Sequence, residues 1–140
     1  MATTATISIS SDIAPGFSGI GETMTLTQAG TLTDIDSTSG FQIRKLSATG
    51  AVDLITMASE LVEPKDSLAA KIYIRNIGYK GVIDKSIGVT IGVKAEPIGK
   101  LYGGDWIVMP LTTIDADDVT ATPATADTVV LEYVLFYEEA

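Results

Sequence analysis

At 140 residues, with 46% hydrophobic and 19% charged positions, the chain has the length and composition of one folded domain, which excludes intrinsic disorder. It contains no Cys and no His. That excludes disulfides, thiolate nucleophiles, thiolate or imidazole metal sites and a histidine general base. The net charge of −9 offers no cationic footprint for nucleic acid.

Residues 3–10 alternate small polar and apolar side chains, with Ala5, Ile7 and Ile9 on one face. This predicts an edge strand, or an N-terminal arm over residues 1–10 that pairs with a neighbouring subunit. Pro15, Gly16, Gly19 and Gly21 make the next stretch a loop. Its glycine spacing fits neither a dinucleotide fingerprint nor a P-loop. Glu22 to Thr27 alternates again, and Ala29-Gly30 predicts a turn into a return strand over Thr31 to Ile35. Asp34 to Gly40 is a polar loop.

Phe41 to Leu46 reads as a short strand; Ala51 to Val62 fits a strand to Met57 followed by a bend, or a short helix with Val52, Ile55 and Val62 near one face. Pro64 to Ser67 is a turn. Leu68 to Ile77 is a strong strand with Ala70, Ile72 and Ile74 on one face and Lys71, Tyr73 and Arg75 on the other. Ile87 to Val93 carries Gly88 and Gly92 on one face, a bareness that invites a backbone or a large ring, with Trp106 as the candidate. Turns are expected at Glu96 to Gly99 and Leu101 to Asp105, then strands at Trp106 to Met109 and Val119 to Thr122.

The last strand, Thr128 to Glu138, is the most apolar stretch. Val129, Leu131, Tyr133, Leu135 and Tyr137 share one face, and Val130, Val134 and Phe136 the other, interrupted by Glu132. A strand apolar on both faces is covered on both, so this is a central strand. Roughly nine short strands without helical periodicity predict a single all-β domain over residues 1–140, an antiparallel β-sandwich or jelly-roll-like barrel.

Catalytic chemistry finds no foothold. No Gly-x-Ser-x-Gly elbow is present, and no supported Ser-x-x-Lys pair. Asp115, Asp117 and Asp118 are the obvious carboxylate cluster, yet glycoside hydrolysis needs two carboxyls set across a cleft. The same three are weak calcium candidates, against the simpler reading of a solvated loop; no cofactor is expected. The opening Met-Ala-Thr-Thr-Ala-Thr lacks the basic and apolar regions of a secretory leader, and no run approaches the roughly 18 apolar residues of a membrane helix, so no membrane partner is expected.

Charge is unevenly laid out. Residues 44–100 hold all nine basic residues against six acids, while the flanking segments hold twelve acids and no base. A solvated surface is the plain reading. The sharper one is a basic belt that meets acidic surface on a neighbour.

Three segments, Lys71 to Gly78, Tyr102 to Pro110 and Leu131 to Glu138, resemble the small β-sandwich virion proteins of tailed bacteriophages, marine and cyanobacterial ones in particular. The resemblance implies a non-enzymatic structural protein of the capsid decoration, or cement, type, made in the host cytoplasm and carried on the outer capsid surface. Its partners would be the major capsid protein or other virion proteins, and a homo-oligomer, a trimer first of all, is expected. On that reading Ile7 and Ile9 of the arm and Lys71, Arg75, Lys80 and Lys85 of the belt are the interaction residues. The rival readings are a receptor- or carbohydrate-binding module of a fibre, with Trp106 and Tyr102 or Tyr79 as its platform, and a ring-forming tail or neck component.

Overall fold

The computed structural model describes residues 4–9, 20–25, 37–47, 49–57, 70–79, 82–111, 118–125 and 129–137. Eleven strands are present among them: β1 Thr4–Ile9, β2 Ile20–Thr25, β3 Ser37–Thr38, β4 Gln42–Leu46, β5 Val52–Ile55, β6 Ala70–Gly78, β7 Gly88–Val93, β8 Glu96–Tyr102, β9 Trp106–Leu111, β10 Val119–Pro123 and β11 Val129–Tyr137. Nine of them form an antiparallel β-sandwich.

The pairing is nested. Strand β7 pairs with β8, β6 with β9, β5 with β10 and β4 with β11. Pairs β6–β11 and β7–β10 close the two sheets. One sheet runs β5-β10-β7-β8, and the other has β4 and β3 end to end against β11, then β6 and β9. This is the strand order of a jelly roll: a long eight-stranded hairpin folded over so that its halves face each other.

Strand β3 continues β4 across a bulge. Gln42 lies opposite Tyr133 and Thr38 opposite Phe136, so three residues on one side face two on the other. Gly40 takes the left-handed backbone there, with φ of 75°. The Ser39 hydroxyl repairs the ladder by accepting the Leu135 N–H at 2.9 Å.

Period-two burial follows the pattern expected of the two strongest strands. On β11 the side chains of Val129, Leu131, Tyr133 and Leu135 enter the core. On β6 those of Ala70, Ile72 and Ile74 do the same. Leu46, Val89, Ile91 and Val119 complete the layer between the sheets. Burying side chains of this kind contributes about 1.5–3 kcal/mol each.

Three local expectations are corrected. Glu96 to Gly99 lies within β8, and the turn falls one step earlier, on Lys94 and Ala95 with φ of 55° and 62°. A two-residue hairpin between paired Val93 and Glu96 needs positive φ at both central positions, and the twist of the strands imposes this despite the absence of glycine. Trp106 does not cover the glycines of β7. The space beside Gly88 is taken by the side chains of Lys100 and Tyr102, and that beside Gly92 by Thr120 and the Glu96 backbone. Finally, β2 pairs with β1, Thr4 opposite Thr25 through Ile9 opposite Ile20. The N-terminal segment is therefore one strand of a hairpin within the chain; the return strand expected over residues 31–35 lies outside the described residues.

The two sheets are tied together at Asn76, the one buried polar residue in the described core, 1% exposed. Its backbone N–H donates to Asp105 O at 3.0 Å, and its carbonyl accepts the Gly104 N–H at 2.8 Å. Its side-chain amide donates to Leu101 O at 3.2 Å and Ile87 O at 3.4 Å, while Oδ1 accepts the Gly78 N–H at 3.1 Å. Gly78 next to it has φ of 83°, and any Cβ there would strike the Val82 carbonyl.

Asn76→Ala is expected to lower unfolding free energy by about 2–4 kcal/mol, because it strands one N–H and two carbonyls in the interior. Urea denaturation measures this. Asn76→Asp should rescue little, since it restores the acceptor for Gly78 but not the donors.

Candidate functional site

The described residues that could do chemistry or binding gather on the outer face of the five-stranded sheet. Antiparallel register lays its side chains in rows across the strands. One row runs Ile43, Glu132, Arg75, Trp106. The row above it holds Val134, Tyr73 and Val108, and the next runs Thr38, Phe136, Lys71, Pro110.

Against this face β1 contributes Ala5 and Thr6, and between them lies a groove of about 480 Å³. Its walls include Tyr73, Arg75, Trp106, Val108 and Val134. The volume is in the range of small-molecule clefts. Phe41, at the far end, meets the Tyr73 ring edge-on with centroids 6.3 Å apart.

Two polar features stand on the floor. The Tyr73 hydroxyl donates to Glu132 Oε2 at 3.3 Å. Burial first, and then the charge and hydrogen bond of Glu132, push the Tyr73 phenol above its ordinary value of 10.0, against a smaller lowering from Arg75. The second feature is Arg75, whose Nε is buried and meets no hydrogen-bond acceptor. A guanidinium N–H shielded from water and left without an acceptor is costly.

Beyond the groove, the β4 edge of the same face is the most exposed apolar part. Ile43 is 70% and Phe41 68% exposed, whereas Trp106 at the opposite edge is 43% exposed. Arg44 and Lys45 lie beside them, both exposed. The Arg44 guanidinium donates to Asp53 O at 2.9 Å and joins the β4 edge to β5 of the other sheet.

The expected site residues divide as follows. Lys71 and Arg75 share the outer face, both half-buried on the central strand β6. Lys85 stands in an exposed turn ahead of β7, off these strands, so the belt is not one stripe. Lys80 lies outside the described residues. Ile7 is 41% exposed on β1, and Ile9 sits opposite Ile20 in the β1–β2 ladder. Asp115 and Asp117 lie outside the described residues. Asp118 is spent on the fold, its Oδ1 accepting the Met57 N–H at 2.8 Å. Among the described residues no group of three acidic side chains could hold a metal ion.

The expected platform of Trp106 with Tyr102 or Tyr79 does not form. Tyr102 faces outward from the four-stranded sheet, on the opposite side of the sandwich, with the Lys100 ammonium 5.2 Å from its ring. Tyr79 carries the Lys45 ammonium 5.3 Å over its ring. Trp106 instead shares its groove with Tyr73. The signal for this was the outward alternation of Lys71, Tyr73 and Arg75, which predicts the face but not which strand lies beside it.

No family model matches this chain, and no curated protein matches it. Among solved structures, a chain from Bacillus endospore appendages, described as a novel family of disulfide-linked pili, is similar with a TM-score of 0.45 and 13% identity, over 100% of this chain and 92% of that one. Similarity at that level supports no functional argument.

The Tyr73–Glu132 pair makes a pH prediction. The folded state raises the Tyr73 pKa and so favours the neutral phenol. That contribution to stability is complete below pH 10 and is lost as pH rises through the folded value. In tyrosinate absorbance titrations, Tyr73→Phe should delete a late-ionising phenol, and Glu132→Gln should move that step to lower pH.

Proposed function

We propose that this chain is a non-enzymatic structural subunit of a multi-copy particle, of the capsid decoration type, which docks edge-on through β4 to acidic surface on its partner. The observation that carries the reading is the β4 edge itself. Phe41 and Ile43, the most exposed large apolar side chains described, stand beside Arg44 and Lys45 on a chain of net charge −9. An edge where two exposed apolar side chains stand beside two cations suits an anionic neighbour, with apolar contact supplying the affinity and charge the register. The resemblance of the β6, β9 and β11 sequences to small virion proteins favours the major capsid protein as the partner. A trimer places three such edges around a symmetry axis, and repetition multiplies weak contacts.

On this reading the docking residues differ from those expected. Lys71 and Arg75 are half-buried on the central strand, so the solvent-facing cations on the same sheet are Arg44 and Lys45. Donation of β1 to a neighbour would first break its own six-residue ladder with β2. A ring-forming tail or neck component would use the same edge and is separated by the shape of the assembly.

Light scattering after size exclusion should return a trimer mass; a monomer at every concentration removes the trimer. In co-sedimentation with isolated capsids, Phe41→Asp with Ile43→Asp should leave circular dichroism and melting unchanged and weaken binding at least tenfold, as expected when apolar anchors at an interface are lost. Undiminished binding by that variant would sink the β4 docking surface.

A further inference from the structure

The groove between β1 and the outer face carries chemistry that docking through β4 leaves unused. We infer that it binds a pyranoside bearing a single carboxylate, a sugar of the uronate or sialate class, with the acid on Arg75 and the ring against Trp106 and Tyr73.

Three observations lead there. Arg75 brings a fixed positive charge to the groove, and its buried Nε has no acceptor. Glu132 stands opposite Arg75 in the ladder, yet its Oε2 takes the Tyr73 hydroxyl. The planar guanidinium on the groove wall is matched best by a two-oxygen anion such as a carboxylate.

The second observation is the aromatic lining. Trp106 and Tyr73 flank Arg75, one across the β6–β9 ladder and the other two positions along β6. Trp106 stays 43% exposed, at a position where burial in the core would have been available to a side chain on the opposite face of β9. Half-exposed rings present flat apolar surface to the C–H face of a sugar, while their rims stay wet.

The third is the floor. It is a sheet face, so its backbone N–H and C=O groups are already paired in the β11–β6–β9 ladders. An extended peptide would find no unpaired backbone on the β11–β6 part of that floor, where recognition comes from side chains. A saccharide acid needs only a ring face and a cation. Arg75 is the one cation among the described residues that line the groove, which matches a ligand with a single carboxylate.

The Trp106 side chain is the sole tryptophan of the chain, so its emission reports on this groove alone. The full chain is titrated with methyl glucuronoside and a sialoside, and in parallel with neutral methyl glucoside and an Asp/Glu-containing peptide, by fluorescence and by calorimetry. A saturable response to an acidic sugar, at least about tenfold weaker for methyl glucoside, supports the site, since a charge-assisted bond accounts for that ratio. Arg75→Gln should abolish the preference for the acid, and Arg75→Lys should keep part of it, with melting behaviour checked for each. Absence of both emission change and heat with every acidic sugar overturns the site. Equal response to the neutral sugar removes the role of Arg75. A response to the acidic peptide alone reassigns the groove to a protein partner and overturns the saccharide. The wild-type sugar comparison decides even where the Arg75 variants fail to fold, and none of these outcomes depends on capsid binding.

Discussion

A buried amide in an apolar core is costly unless its donors and acceptors are met, and Asn76 meets them by joining segments of both sheets. Its side chain sits on β6 of one sheet and reaches Ile87 and Leu101 of the other. Its backbone pins the turn through Gly104 and Asp105 that carries the chain from β8 to β9. Hydrophobic packing between two sheets is non-directional and would allow them to slide. The five bonds at Asn76 fix one register between the sheets, and they fix the β8–β9 corner from which Trp106 begins the next strand. The nearby close contacts follow from the same constraint. Gly103 leaves no room for a Cβ against the Asp84 carbonyl, so the loop before β7 lies directly on the corner.

Much of this fold is legible where physics is local. The period-two pattern of Leu131, Tyr133 and Leu135 against Glu132 needs only the strand's own geometry, and the same is true of Ile72 and Ile74 against Tyr73 and Arg75. What the sequence does not reveal is partnership. The nested pairing of β4 with β11 joins residues more than eighty positions apart, and no local preference encodes it. Turn composition also misled at β8. Pro97 and Gly99 suit a turn, but Pro97 is tolerated there because β8 is an edge strand, while Lys94 and Ala95 accept strained backbone because the sheet twist demands it. The candidate site was half legible for the same reason. Tyr73 and Arg75 could be placed on one face, but the neighbours that make them a groove, Trp106, Val108, Ala5 and Thr6, come from strands whose positions depend on the whole topology.

The outer face divides by exposure into two functional halves. Toward β4 the apolar side chains of Phe41 and Ile43 and the adjacent cations are largely exposed, with Phe41 edge-on to Tyr73, Arg44 reaching Asp53 O and Lys45 over Tyr79. Toward β9 the cation is half-buried and enclosed by rings. Electrostatics behave differently in the two places. Exposed Arg44 and Lys45 act at long range and are screened by salt, which suits steering and register. Arg75 sits in a less polar pocket, where a single well-placed anion gains more and an absent one is missed more. The same residue type thus serves recognition of a surface at one edge and of a small charged group at the other.

The groove itself is a consequence of how β11 is covered. A strand apolar on both faces needs cover on both, and Val134, though on the outer face, is only 3% exposed. The β1 residues Ala5 and Thr6 line the same space. That cover cannot run the length of β11, because two positions earlier Glu132 holds a charge that would be expensive to seal away. Glu132 keeps access to water by taking the Tyr73 hydroxyl at the margin, and Arg75 lies beside it in the ladder. Among the described residues, the groove lies where the β1 residues beside Val134 meet the row of Glu132 and Arg75. A Val or Ile in place of Glu132 would leave Arg75 beside an apolar neighbour in the ladder and take from the Tyr73 hydroxyl its acceptor, at the place where a cation, two rings and a cleft occur together.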